Sequence, residues 1–160
     1  MSPGRDDGWL MRGGARTDWG TWQATKGRDP SAVWAAAVAD FDEAIARNDA
    51  RDESWTRRAD ARVAWAQWKA ARGEDPSDLL RAASADVERS LAIARSNGET
   101  WMTRADVHRT RAAWRRGRGE DAKAEWRSAL DSYREAVRLA PGLARFLKPR
   151  LDEAEREAGR

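Results

Sequence analysis

The sequence predicts an all-α protein: an α-solenoid of three antiparallel helix hairpins followed by a C-terminal capping helix, seven helices in all. Three observations carry this. Trp9, Trp55 and Trp101 are spaced by a constant 46 residues, and Trp22, Trp68 and Trp114 keep the same step. So do Trp34, Leu80 and Trp126, and so do Gly27, Gly73 and Gly119. Each of those glycines lies two residues before an aspartate, in Gly27-Arg28-Asp29-Pro30, Gly73-Glu74-Asp75-Pro76 and Gly119-Glu120-Asp121-Ala122. A fixed period of this size marks stacked supersecondary units that bury a shared core, here as one elongated domain.

Residues 1–6 read as a flexible lead-in. The first helix is expected from about Asp7 to Lys26, with Gly27 as its stop because glycine tolerates the left-handed conformation there. Asp29 is a good N-cap, and Pro30 at the first helical position loses no hydrogen bond. The second helix then runs to about Asn48. The same helix–turn–helix order gives units of about 7–52, 53–98 and 99–141. At about 100° per residue, Trp55, Ala59 and Ala66 fall on one face of the first helix of the second unit. Ala61, Ala64, Trp65 and Trp68 fall on another, so this helix is predicted to be sandwiched. The second helices carry a narrower stripe: Trp34, Ala37, Phe41, Ala44 and Ile45, then Leu80, Ala83, Val87, Ser90 and Leu91, then Trp126, Ala129, Tyr133, Ala136 and Val137. The slot of Trp22, Trp68 and Trp114 is predicted to be buried between hairpins because it recurs in every unit. From 142 to 160 a last helix presents Leu143, Leu147, Leu151, Ala154 and Ala158 on one side, as a cap needs. Pro149 inside it predicts a kink or break near Lys148.

Composition limits the chemistry. Hydrophobic residues make up 41 % and charged residues 36 %, enough for a core under a heavily charged exterior. There is no cysteine, which excludes disulfides, thiol nucleophiles and cysteine-bound metal. The N-terminus has no apolar run of a signal peptide, and no stretch has the roughly 20 apolar residues of a membrane span. The expectation is a cytoplasmic protein with no membrane contact. The net charge of +3 is small, and the pI near 9.8 follows from an excess of arginine over lysine.

The units resemble the tetratricopeptide repeat. Trp9-x-x-Arg12-Gly13 opens the first unit, and Ala37, Phe41 and Ala44 take the family's second-helix positions. Tyr133-Arg134-Glu135-Ala136, closing at Pro141, is the nearest local match. The resemblance runs from Trp9 to Pro141. It departs from the family in length, since the family repeat is about 34 residues and each unit here is about 12 longer. That extra length lies around the helix–helix turn. The glycine slot holds Ala59 and Ala105 in later units, and the proline slot holds Asp49 and Arg95 in earlier ones.

The resemblance implies a non-catalytic protein-interaction scaffold that binds a peptide or protein segment along a concave groove lined by the first helices. Its groove positions carry over to Leu10, Thr17, Glu53, Thr56, Asp60, Val63, Glu99, Met102, Asp106 and Arg109. The acidic members would favour a basic peptide. The competing reading is that Asp60 and Asp106 pair with nearby arginines and that Glu53 and Glu99 suit helix N-termini. The family's clamp for carboxylate-ended chaperone tails needs Lys and Asn where Leu10, Thr56 and Met102, and Gly14, Asp60 and Asp106, stand, so that clamp is absent. No enzyme is expected, no cofactor and no metal. His108, the single histidine, aligns with Arg16 and Arg62 and is predicted to lie on the surface. Gly117-Arg118-Gly119 lacks the third glycine of a phosphate loop. The basic run from Arg109 to Arg118 around Trp114 could meet phosphates, but with Trp114 assigned to the core slot it has no free ring for stacking, and nucleic acid is disfavoured. The alternative class is a structural or self-assembling repeat without a groove ligand. Met1 to Asp6 are too few to cover a helix face, so a symmetric homodimer through the N-terminal hairpin is expected.

Overall fold

Gly27, Gly73 and Gly119 have φ of 69°, 75° and 74°, the only positive values in the described backbone. Each sits at the same turn of a computed structural model that describes residues 6–159. The amide of the residue after each glycine donates back to the carbonyl five positions earlier: Arg28 to Gln23, Glu74 to Lys69 and Glu120 to Arg115. The glycine amides donate to Ala24, Ala70 and Arg116. This is the paired 6→1 and 5→2 closure that stops a helix on a left-handed residue. Two residues on, the carboxylates of Asp29, Asp75 and Asp121 each accept from the backbone N–H of Ser31, Ser77 and Lys123, all at 2.9 Å. Stop and start are thus encoded within five residues, three times over. The Gly73 position is open to solvent, yet a β-branched residue resists this φ. Gly73→Val is expected to cost about 1 kcal/mol or more in a denaturant melt.

The described residues form seven α-helices: α1 (Asp7–Thr25), α2 (Ser31–Arg47), α3 (Asp52–Ala71), α4 (Ser77–Ile93), α5 (Gly98–Gly117), α6 (Lys123–Leu139) and α7 (Ala144–Gly159). Consecutive helices pack antiparallel: α1 with α2, α3 with α4, α5 with α6 and α6 with α7. The chain divides into two compact units, one ending at Ile93 and the other starting at Ala94. The first holds two hairpins, with α3 touching α4, α2 and α1. This sandwiching explains why α3 buries Ala59 and Ala66 together with Ala61 and Val63. The second unit holds the third hairpin and α7. Of the expected lead-in, residues 1–5 lie outside the described residues. Asp6 is buried, and its carboxylate accepts from Arg51 at 3.2 Å.

The stripes of the second helices form the core. Trp34, Ala37, Phe41, Ala44 and Ile45 are all buried, as are Leu80, Ala83, Val87, Ser90 and Leu91. In α6 the same holds for Trp126, Ala129, Tyr133 and Ala136, while Val137 is half-buried. Small residues on the first helix oppose the large ones. A side chain on Gly20 would come within 2.6 Å of Trp34, and one on Gly13 within 2.7 Å of Phe41, so α1 and α2 approach closely at both points. Ala66 and Ala112 hold the Gly20 position in the other hairpins and are fully buried.

Two expectations are corrected. The first is the slot of Trp22, Trp68 and Trp114, which is not core. Trp22 is 42 % exposed, and Trp68 and Trp114 are half-exposed. These positions lie in the last turns before the glycine stop. Their rings are covered instead by cations: Lys26 and Arg28 over Trp22, Arg72 over Trp68 and Arg118 over Trp114, at 5.2–5.9 Å. An arginine over an indole face gains from the ring quadrupole without full burial. The second concerns the last helix. It enters through a 3-10 turn at Pro141–Leu143 and then continues unbroken through Pro149, burying Leu147 and Ala154.

Candidate functional site

The charges of the first unit are arranged in a repeated clamp. Arg12 and Arg16 stand one turn apart on α1, and Asp40 stands opposite on α2. Arg12 donates to Asp40 Oδ1 at 2.6 Å through Nη2 and at 3.0 Å through Nε, and Arg16 donates to Oδ2 at 2.7 Å. In the second hairpin the residues 46 positions on do the same. Arg58 donates to Asp86 Oδ1 at 2.6 Å and Oδ2 at 3.1 Å, and Arg62 also donates to Oδ2. Both carboxylates are buried, and each meets charge-assisted donors on both oxygens, as a buried ion requires. Arg58 additionally bonds Asp42 at 2.6 Å and so ties α3 to the preceding hairpin. The sequence reading missed this clamp. Its signal was present in the recurrence of Arg12 with Arg58 and of Asp40 with Asp86 at the repeat step.

The third hairpin changes the arrangement. Arg104 keeps the first position, but His108 and Ser132 replace the second arginine and the aspartate. His108, expected on the surface, is partly buried, its side chain 20 % exposed and Nδ1 2.7 Å from Glu125. A partly buried carboxylate stands elsewhere on α5, at Asp106. It accepts from Arg150 of α7 at 2.9 and 3.2 Å and from the hydroxyl of Tyr133. Burial pushes its carboxyl above the ordinary value, against the pull of Arg150 and Tyr133. Burial, with the charge of Asp106, also pushes the Tyr133 phenol up. Arg109 bonds Glu153 at 2.6 Å, a second tie between α5 and α7.

The ten candidate groove residues divide by environment. Leu10, Thr56 and Val63 are buried inside the first unit. Leu10 packs with Ala37, Phe41, Ala44 and Ala61, and the Thr56 hydroxyl lies 2.8 Å from that of Ser90. Glu53 sits in the first turn of α3, bonded to Arg51 at 2.8 Å. Arg51 also holds Asp6 and Asp7, so much of the acidic charge at this end of the first unit is matched. Thr17 is half-exposed and donates to the carbonyl of Gly13, and Asp60 is half-exposed. In the second unit, Glu99 is exposed in the first turn of α5 and Met102 is half-exposed. Asp106 and Arg109 belong to the ties described above.

The basic run around Trp114 is similarly engaged. Arg111 lies 3.5 Å from Glu125, Arg116 2.9 Å from Glu157, and Arg118 2.8 Å from Glu120. With Trp114 half-exposed, ring burial no longer argues against base stacking. The paired arginines do, because a phosphate would have to displace carboxylates.

Besides polar residues, α1 leaves three large apolar side chains exposed. Met11 is 75 % exposed, Trp19 49 % and Trp22 42 %, and the two indoles stack with centroids 4.7 Å apart and planes 15° from parallel. At about 100° and 1.5 Å per residue, Met11, Trp19 and Trp22 share a sector of roughly 80° and span about 16 Å of helix. Among the described residues there is no group of three or more side chains suited to a metal ion, and no helix is long and apolar enough to cross a membrane. The sequence and the fold match no protein-family model, no curated protein and no solved structure.

Proposed function

We propose that the chain is a non-catalytic protein-interaction module, a long-helix variant of the tetratricopeptide-like hairpin, which binds a protein or peptide segment. The observation that carries this reading is the exposed strip of Met11, Trp19 and Trp22 on α1. Two stacked indoles and a methionine left exposed on one sector of a helix suit a contact surface, and rigid aromatic anchors suit recognition. The hairpin order and the small-against-large pairing of Gly13 with Phe41 support the family likeness. Of the groove residues, Thr17, Glu53 and Asp60 in the first unit, and separately Glu99 and Met102 in the second, are at least partly open.

Peptide-display selection against the intact chain tests this. Selected binders are expected to lose roughly tenfold or more in affinity for a Trp19→Ser/Trp22→Ser variant, the loss of a buried aromatic anchor being about 2 kcal/mol or more. A selection that yields no binder, or binders indifferent to both tryptophans and to neutralised Asp60 and Glu99, overturns the reading. The same strip favours a second reading, self-association through the N-terminal hairpin. Sedimentation across a concentration series separates the two: a strict monomer at high concentration excludes the dimer.

A further inference from the structure

The exposed strip on α1 belongs to a longer face that the repeat covers elsewhere. Gly8 and Ala15 are exposed along with Met11, Trp19 and Trp22, and the five lie within about 80° of one another around the helix. One repeat step on, α3 has Ser54 and Ala61 in the places of Gly8 and Ala15, and both are fully buried. Ala61 packs there with Leu10, Ala37, Phe41 and Ala44 of the preceding hairpin. On α1 the same face lies in water. Resting on the reading of this strip as a contact surface, we propose that a second copy of the chain covers it, α1 against α1 in antiparallel order about a two-fold axis at Ala15.

The order of residues along the face carries the choice of occupant. Gly8, Met11, Ala15, Trp19 and Trp22 follow at steps of three, four, four and three residues, so the spacing is the same from either end. The first half is small or flexible and the second half is aromatic. A copy of α1 turned end over end about Ala15 sets the partner's Trp22 over Gly8 and the partner's Trp19 beside Met11, each twice by symmetry. A thioether beside an indole is a favourable contact. The fit of small against large is the one that α1 already makes on its other side, where Gly13 receives Phe41 and Gly20 receives Trp34. Gly8 differs from those two glycines inside its own chain, because a side chain there would meet nothing within 4 Å. Glycine weakens a helix relative to alanine, and room for the partner's Trp22 is what Gly8 offers in return. Where α3 has the exposed Arg57, α1 has Met11, so charge gives way to an apolar group in line with the row. The indoles, 49 % and 42 % exposed, leave about 200 Å² in water on each copy, and Met11 adds to it. Two copies together reach the low end of specific interfaces, below about 1,200 Å², so the pair is reversible and dissociates in the micromolar range.

The test is the association of the intact chain, followed by sedimentation equilibrium and by cross-linking. The chain has no cysteine, so an introduced thiol reports alone. Ala15→Cys sets two thiols at the two-fold axis and is expected to link rapidly under a short bismaleimide. Thr25→Cys, exposed at the end of the same helix, sets its thiols about 30 Å apart and should link no faster than unassociated chains. Gly8→Leu meets no obstacle in its own chain but fills the place of the partner's Trp22, and should weaken the dimer roughly tenfold or more. Trp19→Ser/Trp22→Ser should leave a monomer. A thermal melt checks that each variant folds, and where the double serine variant does not, Gly8→Leu decides. A strict monomer at high concentration whose display-selected peptides still need both tryptophans overturns the second copy and leaves the contact surface standing. A strict monomer without such peptides overturns both. Thr25→Cys linking as fast as Ala15→Cys, or a dimer that Gly8→Leu leaves intact, also overturns the proposal.

Discussion

Trp34→Ala is expected to cost about 3–5 kcal/mol, the range for deleting a large core aromatic. Trp34 is buried between α2 and α1, and its indole N–H donates to the Thr17 carbonyl at 3.3 Å. The space cannot be refilled from across the helix pair, because the facing residue is Gly20, which has no side chain to move in. Guanidinium melts on the intact chain, compared with Trp68→Ala, give the check. Trp68 is half-buried under Arg72, so its loss should cost less, about 2 kcal/mol, from partial burial and a surface cation–π contact. Equal costs at the two positions would mean that recurrence, not burial, governs the tryptophans.

Asp86→Ala should be the most damaging loss of a charge, at about 3 kcal/mol or more, because it removes the carboxylate of the little-exposed Arg62 and leaves Arg58 only Asp42. Asp40→Ala should cost clearly less. The difference lies in what the arginines can do once released. The side chains of Arg58 and Arg62 are 14 % and 18 % exposed, whereas those of Arg12 and Arg16 are 50 % and 38 % exposed and can turn to water. A comparison of both variants by chemical denaturation at low and high salt checks this. If Asp40→Ala proves the costlier, the clamp is not what sets the loss.

The periodicity was enough to read the hairpins, their turns and the stripes of α2, α4 and α6, because those features are local. A glycine before Asp-Pro needs no knowledge of what packs where, and a stripe at helical spacing points inward in any arrangement. Direction on the first helices was harder. Trp22, Trp68 and Trp114 recur as faithfully as Trp34 and Trp126, but recurrence reports that a position is used, not which side of the helix it faces. At these positions near the turn an arginine or lysine lies over the ring. The clamp of Asp40 and Asp86 was hidden for a related reason: arginine and aspartate read as a solvated face until the fold brings residues 28 positions apart together. The groove assignment, carried by family likeness, mixed core and surface. Thr56 and Val63 are buried because α3 packs on three neighbours at once, α1, α2 and α4, an environment that position within a repeat does not reveal.

The three turn motifs bear on how the chain acquires its structure. Each hairpin is closed by hydrogen bonds that span five residues or fewer, from the Gly27, Gly73 and Gly119 stops to the Asp29, Asp75 and Asp121 caps. The two helices that meet there are adjacent in sequence, so their contacts require only short loops to close, and loop closure is the step whose entropy grows with length. Topologies dominated by such near-neighbour contacts form in microseconds to milliseconds. The hairpin is therefore the natural kinetic unit of this chain, each one able to zip from its own tip. The clamp of Arg58 on Asp42, which reaches from α3 into the preceding hairpin, locks only after both hairpins exist.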